Sequence, residues 1–138
     1  MEKQIRQVVE FQKKFKSIYN TTPTLLRQEQ ANLRYLLLKE ENEEYLEAVQ
    51  NEDVVEILDA LIDQLFITIG TAVSHGLQDK LEEGFNIVFN SNMSKLDENG
   101  EPIFNGENGV LDKTKPLGKL LKSKNYKEPN LKVLWEEK

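Results

Sequence analysis

Residues 33–73 read LRYLLLKEENEEYLEAVQNEDVVEILDALIDQLFITIGTAV, and the spacing of apolar residues there predicts two amphipathic helices. A polar turn, Gln50-Asn51-Glu52-Asp53, separates them. In the first helix Leu33, Leu36 and Leu37 share a face, and steps of three or four residues carry that face onto Glu40, Glu41, Glu44 and Ala48. In the second, Glu56, Asp59, Asp63, Phe66, Gly70 and Val73 fall on one line, flanked by Ile57, Leu58, Leu61, Ile62, Leu65 and Ile67. Asp59 and Asp63 are therefore surrounded by hydrocarbon, where a carboxylate is expected only with a partner.

A short turn makes such helices antiparallel neighbours, so both sets of acids are expected to converge between them. Unit charges about 4 Å apart repel by roughly 1 kcal/mol in water and about 4 kcal/mol at an effective dielectric of 20. Several bare carboxylates in one small volume thus require protons or a divalent cation. Carboxylate oxygens with no neighbouring His or Cys suit a hard ion, Mg²⁺ with Mn²⁺ as the alternative. Solvated faces account for most glutamate-rich helices, and Glu43 and Glu47 are read that way. Asp53 is a plausible N-cap of the second helix, and Glu56, three residues on, has a competing role in a capping box.

Glu40-Glu41-Asn42-Glu43-Glu44 followed by Tyr45-Leu46-Glu47-Ala48-Val49 resembles the EExxE helix of the MazG-like, all-α nucleoside triphosphate pyrophosphohydrolases, in the phosphoribosyl-ATP pyrophosphohydrolase-like superfamily. The second signature of that family is ExxD leading into an apolar segment. Glu56-Ile57-Leu58-Asp59 satisfies the spacing, but Asp63 is the acid that abuts Leu65-Phe66. Two second ligand pairs stay open, Glu56 with Asp59 and Asp59 with Asp63. Ser91-Asn92-Met93-Ser94-Lys95 and the later Lys122-Ser123-Lys124-Asn125-Tyr126 with Pro129 are similar to two further segments of one branch of the family.

The resemblance implies an enzyme that hydrolyses a (deoxy)nucleoside triphosphate to the monophosphate and pyrophosphate with a metal-activated water. Glu41, Glu44, Glu56, Asp59 and Asp63 would hold the metal, and Glu40, one step round the helix, would take the proton of the attacking water. Asn92 and Lys95 would face the nucleotide, and Lys122 and Tyr126 would close over it. The contrasting reading is a non-catalytic helical interaction module whose acids pair with the Lys or Arg of a partner.

The remainder of the chain fits a small all-α protein. With 138 residues a single domain spanning the chain, 1–138, is expected, its core helices over about 4–92 and a hairpin and tail over 97–138. The fold class expected is an antiparallel four-helix bundle with a short β-hairpin and an extended C-terminal tail. A net charge of −6 argues against nucleic acid, whose phosphates demand clustered Lys and Arg. Cysteine is absent, which excludes disulfides, thiolate zinc and a cysteine nucleophile. The charged N-terminus is unlike a signal peptide, and no apolar run is expected to approach the roughly 20 residues that cross a bilayer, so a cytoplasmic protein without a membrane partner is expected. Phosphate loops and nucleophile elbows are not found.

In chain order, a first amphipathic helix is expected over residues 4–19 with Phe11 and Phe15 in the core. A fourth is expected over 78–90 with Leu81, Phe85, Val88 and Phe89 buried, and Gly76 ends the third. Turn signals at 97–100 and 106–109 predict a hairpin pairing Ile103-Phe104 with Val110-Leu111. Lys113 to Lys124 is basic, and reads as a solvated tail or as counter-charge for a polyphosphate. The central helix is more apolar than a surface helix needs, which points to a homo-oligomer, dimer or tetramer.

Overall fold

The computed structural model describes residues 1–136. It is mostly helical, with four α-helices and one small antiparallel sheet of two strands. The chain divides into two compact units, Met1–Leu81 and a second beginning at Glu82.

The first unit contains α1 (Glu2–Lys14), α2 (Gln28–Gln50) and α3 (Val54–Ser74), followed by a 3₁₀ turn at Gln78–Lys80. All three helices stop in the same way. The residue after the C-cap, Lys16, Glu52 or Gly76, takes a positive φ of 56°, 54° or 70°. The next amide then reaches back to the last turn: Ser17 to the Gln12 carbonyl, Asp53 to Ala48 and Leu77 to Ala72. This double closure satisfies carbonyls that a helix end would otherwise orphan. It also corrects the first helix, which ends at Lys14 rather than near Tyr19; Lys16 makes the left-handed turn without a glycine to announce it. At the start of α3 the Asp53 side chain accepts from the amides of Val55 and Glu56, so this N-cap is as expected.

The turn folds α2 back on α3. Gln64 Nε2 donates to the Glu41 carbonyl, and Arg34, one turn and more earlier in α2, bonds Thr71 Oγ1 and the Ile67 carbonyl further along α3, so the helices run antiparallel. Ala48 and Ala60 are buried, and their small side chains let the backbones approach. Val8, Ile69 and Val73 form the core of the unit, with Ile5, Val9, Tyr19 and Leu81 packed on it.

Beside that core lies a polar seam. Gln12 is 2% exposed and donates to the Ile18 carbonyl and to Ser74 Oγ, while Asn20 Nδ2 donates to the Ser74 carbonyl. These bonds tie the segment between α1 and α2 to the end of α3. Phe11 and Phe15, expected in the core, are exposed instead. They stack on each other at 4.5 Å, and Phe11 meets Phe66 edge-on at 5.0 Å.

α3 also corrects the membrane reading of the sequence. Its 21 residues, with Asp59 and Asp63 as the acids of its apolar part, are long and apolar enough by length and composition to cross a bilayer. The helix packs against both α1 and α2 and supplies most of the buried residues of the unit.

The second unit holds α4 (Leu81–Met93, starting at the unit boundary), β1 (Ile103–Phe104), β2 (Leu120–Leu121) and a 3₁₀ turn at Leu131–Trp135. Phe85, Val88 and Phe89 are exposed, contrary to expectation, and Ser91 is the buried residue of α4. β1 pairs with β2 in the register Ile103 with Leu121 and Phe104 with Leu120. Val110-Leu111 forms no strand, which corrects the expected hairpin.

The reason is Asn105, 1% exposed. Its Nδ2 donates to the carbonyls of Asp112, Lys115 and Pro116, and its Oδ1 accepts from the Asp112 amide. The intervening chain wraps around that one amide, with Gly106 at φ 88° starting the loop, so the strand partner is deferred to Leu120. The basic segment read as a solvated tail is therefore built into this loop.

Candidate metal centre

The antiparallel pairing of α2 and α3 brings their acids face to face. One carboxylate oxygen each from Glu41, Glu44 and Asp63 lie within 4.8 Å of one another. Glu41 and Asp63 are half-buried, and Glu44 is exposed at the mouth. Glu41 Oε2 is buried and has no hydrogen-bond partner.

The electrostatics follow from this crowding. Burial, a hydrogen bond to Glu44 and the charges of Glu44, Asp63 and Glu40 push the Glu41 carboxyl up to about 7. Burial, with the charges of Asp59 and Glu44, raises Asp63 as well. Each carboxyl is raised chiefly because it has left water, and further by its neighbours, through the bond to Glu44 at Glu41 and through like charges at both.

A buried, unpartnered carboxylate oxygen among like charges is an available ligand atom for a cation. Three converging carboxylate oxygens fit a hard divalent cation, which accepts oxygen ligands and leaves its other positions to water or phosphate. The acidic cluster could thus hold a metal ion.

The remaining expected ligands lie alongside. Glu56 and Asp59 line a cleft of about 420 Å³ together with Glu44, Glu47, Asn51 and the floor residues Ala48 and Ala60. The three-acid group takes Asp63 from α3, while Glu56 and Asp59 share the adjoining cleft with Glu44. Glu40 is exposed and acts on Glu41 through its charge.

Two residues escaped the sequence reading. Glu47, assigned to a solvated face, lines the cleft; its position three after Glu44 was the available signal. Arg34 is half-buried between α2 and α3, and burial holds its guanidinium below the usual value. Its apolar surroundings gave no sign of a buried cation.

Within the second unit the two family-like segments meet each other. Ser91 Oγ donates to the Lys127 carbonyl, the Lys127 amide donates to Ser94 Oγ, and Ser123 Oγ donates to the Leu96 carbonyl. The serines of Ser91-Asn92-Met93-Ser94-Lys95 thus clamp the tail. Lys122 Nζ stands 4.5 Å over the Tyr126 ring, bringing two of the substrate-binding candidates together. Of those four, Tyr126 lines a cleft of about 880 Å³ with Asn90, Ser94, Lys124, Asn125 and Lys127, whereas Asn92, Lys95 and Lys122 do not.

An acid group set across a helical hairpin defines a class, a helical protein with a candidate divalent-metal centre. Residues 8–92 match the family model described as phosphoribosyl-ATP pyrophosphohydrolase, and the chain belongs to that family. The match covers every acid of the centre and ends at Asn92. The family indicates a pyrophosphohydrolase acting on nucleotides. No curated protein matches the chain.

Proposed function

We propose that this protein hydrolyses a (deoxy)nucleoside triphosphate to the monophosphate and pyrophosphate, with Mg²⁺ as the metal and Mn²⁺ as the alternative. The observation that carries this reading is the group of Glu41, Glu44 and Asp63 oxygens within 4.8 Å, with Glu41 Oε2 left unpartnered. Asp59 and Glu56, on the same helix and lining the adjoining cleft, complete the ligand candidates. When bound, the cation would neutralise charge on phosphate oxygens and make a water more acidic.

The side chains of this protein do the rest. Glu41, Glu44 and Asp63 would hold the cation between α2 and α3. Glu40, outside the ligand group and exposed, is free to accept a proton from the attacking water. Asn92, Lys95, Lys122 and Tyr126 are assigned to the substrate, the lysines countering phosphate charge.

We further read the four helices as an antiparallel bundle in one domain, a reading supported by a family match that runs from α1 into the last turn of α4. The protein works in the cytoplasm on free nucleotides, not on nucleic acid or membranes, as a homo-oligomer of two or four chains. Support for the last point comes from α3, whose Val54, Val55, Leu58, Leu61, Ile62 and Leu65 are all exposed in the single chain.

A panel of canonical and modified nucleoside triphosphates with Mg²⁺, assayed for pyrophosphate against orthophosphate, tests the proposal. Pyrophosphate release from at least one member is expected. Orthophosphate alone, or no release from any, would overturn it.

A further inference from the structure

The chain carries three Asn-Gly steps, Asn99-Gly100, Asn105-Gly106 and Asn108-Gly109, all in the second unit. Asparagine is among the thermolabile residues, and most so before glycine, where no Cβ shields the following backbone nitrogen from the side-chain carbonyl. By local sequence the three steps are alike. The structure separates them.

Asn105 is 1% exposed, and its Nδ2, the leaving group of any deamidation, is held by three carbonyls. The Gly106 nitrogen, which would have to attack, donates to the Val110 carbonyl at 2.7 Å. Asn99 is exposed, but the Gly100 nitrogen donates to the Asp97 carbonyl at 3.0 Å, and the Asn99 amide is tied to Asp97 Oδ1. In both steps the nucleophile is occupied.

Asn108-Gly109 is different. Both residues are exposed and have positive φ, 52° and 77°, and they form the middle of a turn closed by the Val110 amide on the Glu107 carbonyl. That bond spans the step and leaves the Gly109 nitrogen with no hydrogen-bond partner among the described residues. A Cβ added at Gly109 would meet nothing within 4 Å, so water has free access.

We propose that Asn108 is a modification site, the residue at which the folded protein deamidates first. The Gly109 nitrogen, its proton taken by solvent hydroxide, bonds to Asn108 Cγ; the Cγ–Nδ2 bond breaks and ammonia leaves, giving a cyclic imide. Water then opens the ring at either carbonyl, leaving aspartate or isoaspartate. Either product adds a negative charge beside Glu107, and isoaspartate also lengthens the backbone of the turn by one methylene. The anchors of Asn105 do not involve Asn108, so the first event leaves the rest of the loop in place. The inference does not depend on the proposed catalytic activity.

The test holds the full chain in warm, mildly alkaline buffer, native or in guanidinium chloride, and locates deamidation over time by tandem mass spectrometry. In the native protein Asn108 is expected to convert at least about fivefold faster than Asn99 and at least about tenfold faster than Asn105, whose reaction waits on opening of the loop. In denaturant the three rates are expected to converge. Asn108→Gly, which suits the positive φ, is expected to abolish the early acidic species on isoelectric focusing. Conversion led by Asn99 or Asn105 in the native protein, equal native rates at all three, a preference for Asn108 that persists in denaturant, or an acidic species that forms at the parental rate in Asn108→Gly would each overturn the proposal.

Discussion

Glu41 of α2 and Asp63 of α3 place carboxylate oxygens within 4.8 Å of each other and of Glu44, across a hairpin whose turn is only three residues long. Both carboxyls are shifted toward the protonated form, Glu41 to about 7. The folded protein without metal therefore binds protons that the unfolded chain releases. Stability linked to Glu41 is fully present below about 4.5, its ordinary value, and is lost as the pH rises through about 7. Asp63 acts in the same direction. Urea midpoints in EDTA should fall between pH 5 and pH 7.5, and Glu41→Gln should remove much of that fall. A midpoint that rose over this interval in the parent and in Glu41→Gln alike would show that the crowding is relieved some other way.

Removing one acid separates a functional role from a structural one. Glu44→Ala is expected to lower metal-dependent turnover at least about 100-fold, while the thermal midpoint without metal stays level or rises because repulsion is relieved. Glu40→Gln should keep metal affinity and lose hydrolysis rate. A Glu40→Gln variant with undiminished kcat would take that residue out of proton transfer.

Gly76 closes α3 at φ 70°, and a Cβ there would collide with the Thr22 carbonyl. Gly76→Ala combines a left-handed penalty of roughly 1–2 kcal/mol with a backbone clash that no rotamer relieves. We expect a loss of at least about 2 kcal/mol in denaturant unfolding. A loss below about 0.5 kcal/mol would mean that the segment from 20 to 24 moves freely away from α3.

Asn105 holds its loop by one accepted and three donated hydrogen bonds. Asn105→Ala strands several buried backbone groups, each costing about 1–3 kcal/mol when unsatisfied. Trypsin should then cut at Lys113 or Lys119 much faster than in the parent, and Asn105→Asp should protect only partly. Equal cleavage rates would contradict the role given to this side chain.

The sequence made α2, α3 and their turn legible because apolar residues recur at helical spacing and Asp53 is a strong N-cap. It also placed Glu41, Glu44 and Asp63 on facing surfaces, since helical geometry follows from position alone. The distances between those acids were not legible, because they depend on Ala48 and Ala60 letting the helices close. Phe11 and Phe15 were misplaced because an amphipathic pattern does not say which side of α1 meets the core, and the buried Gln12 broke the rule that polar residues face water. Val110-Leu111 and Leu120-Leu121 look alike as strands. Only the buried amide of Asn105 decides between them.

Acids from two helices converge where one hard cation could be held. Manganese electron paramagnetic resonance on EDTA-stripped protein measures this directly, by counting free Mn²⁺ as protein is added. Saturable binding is predicted in the parent, with Mg²⁺ competing, and its loss in Asp63→Asn. Binding that is absent in the parent, or that survives in both Asp63→Asn and Glu44→Ala, would contradict the account.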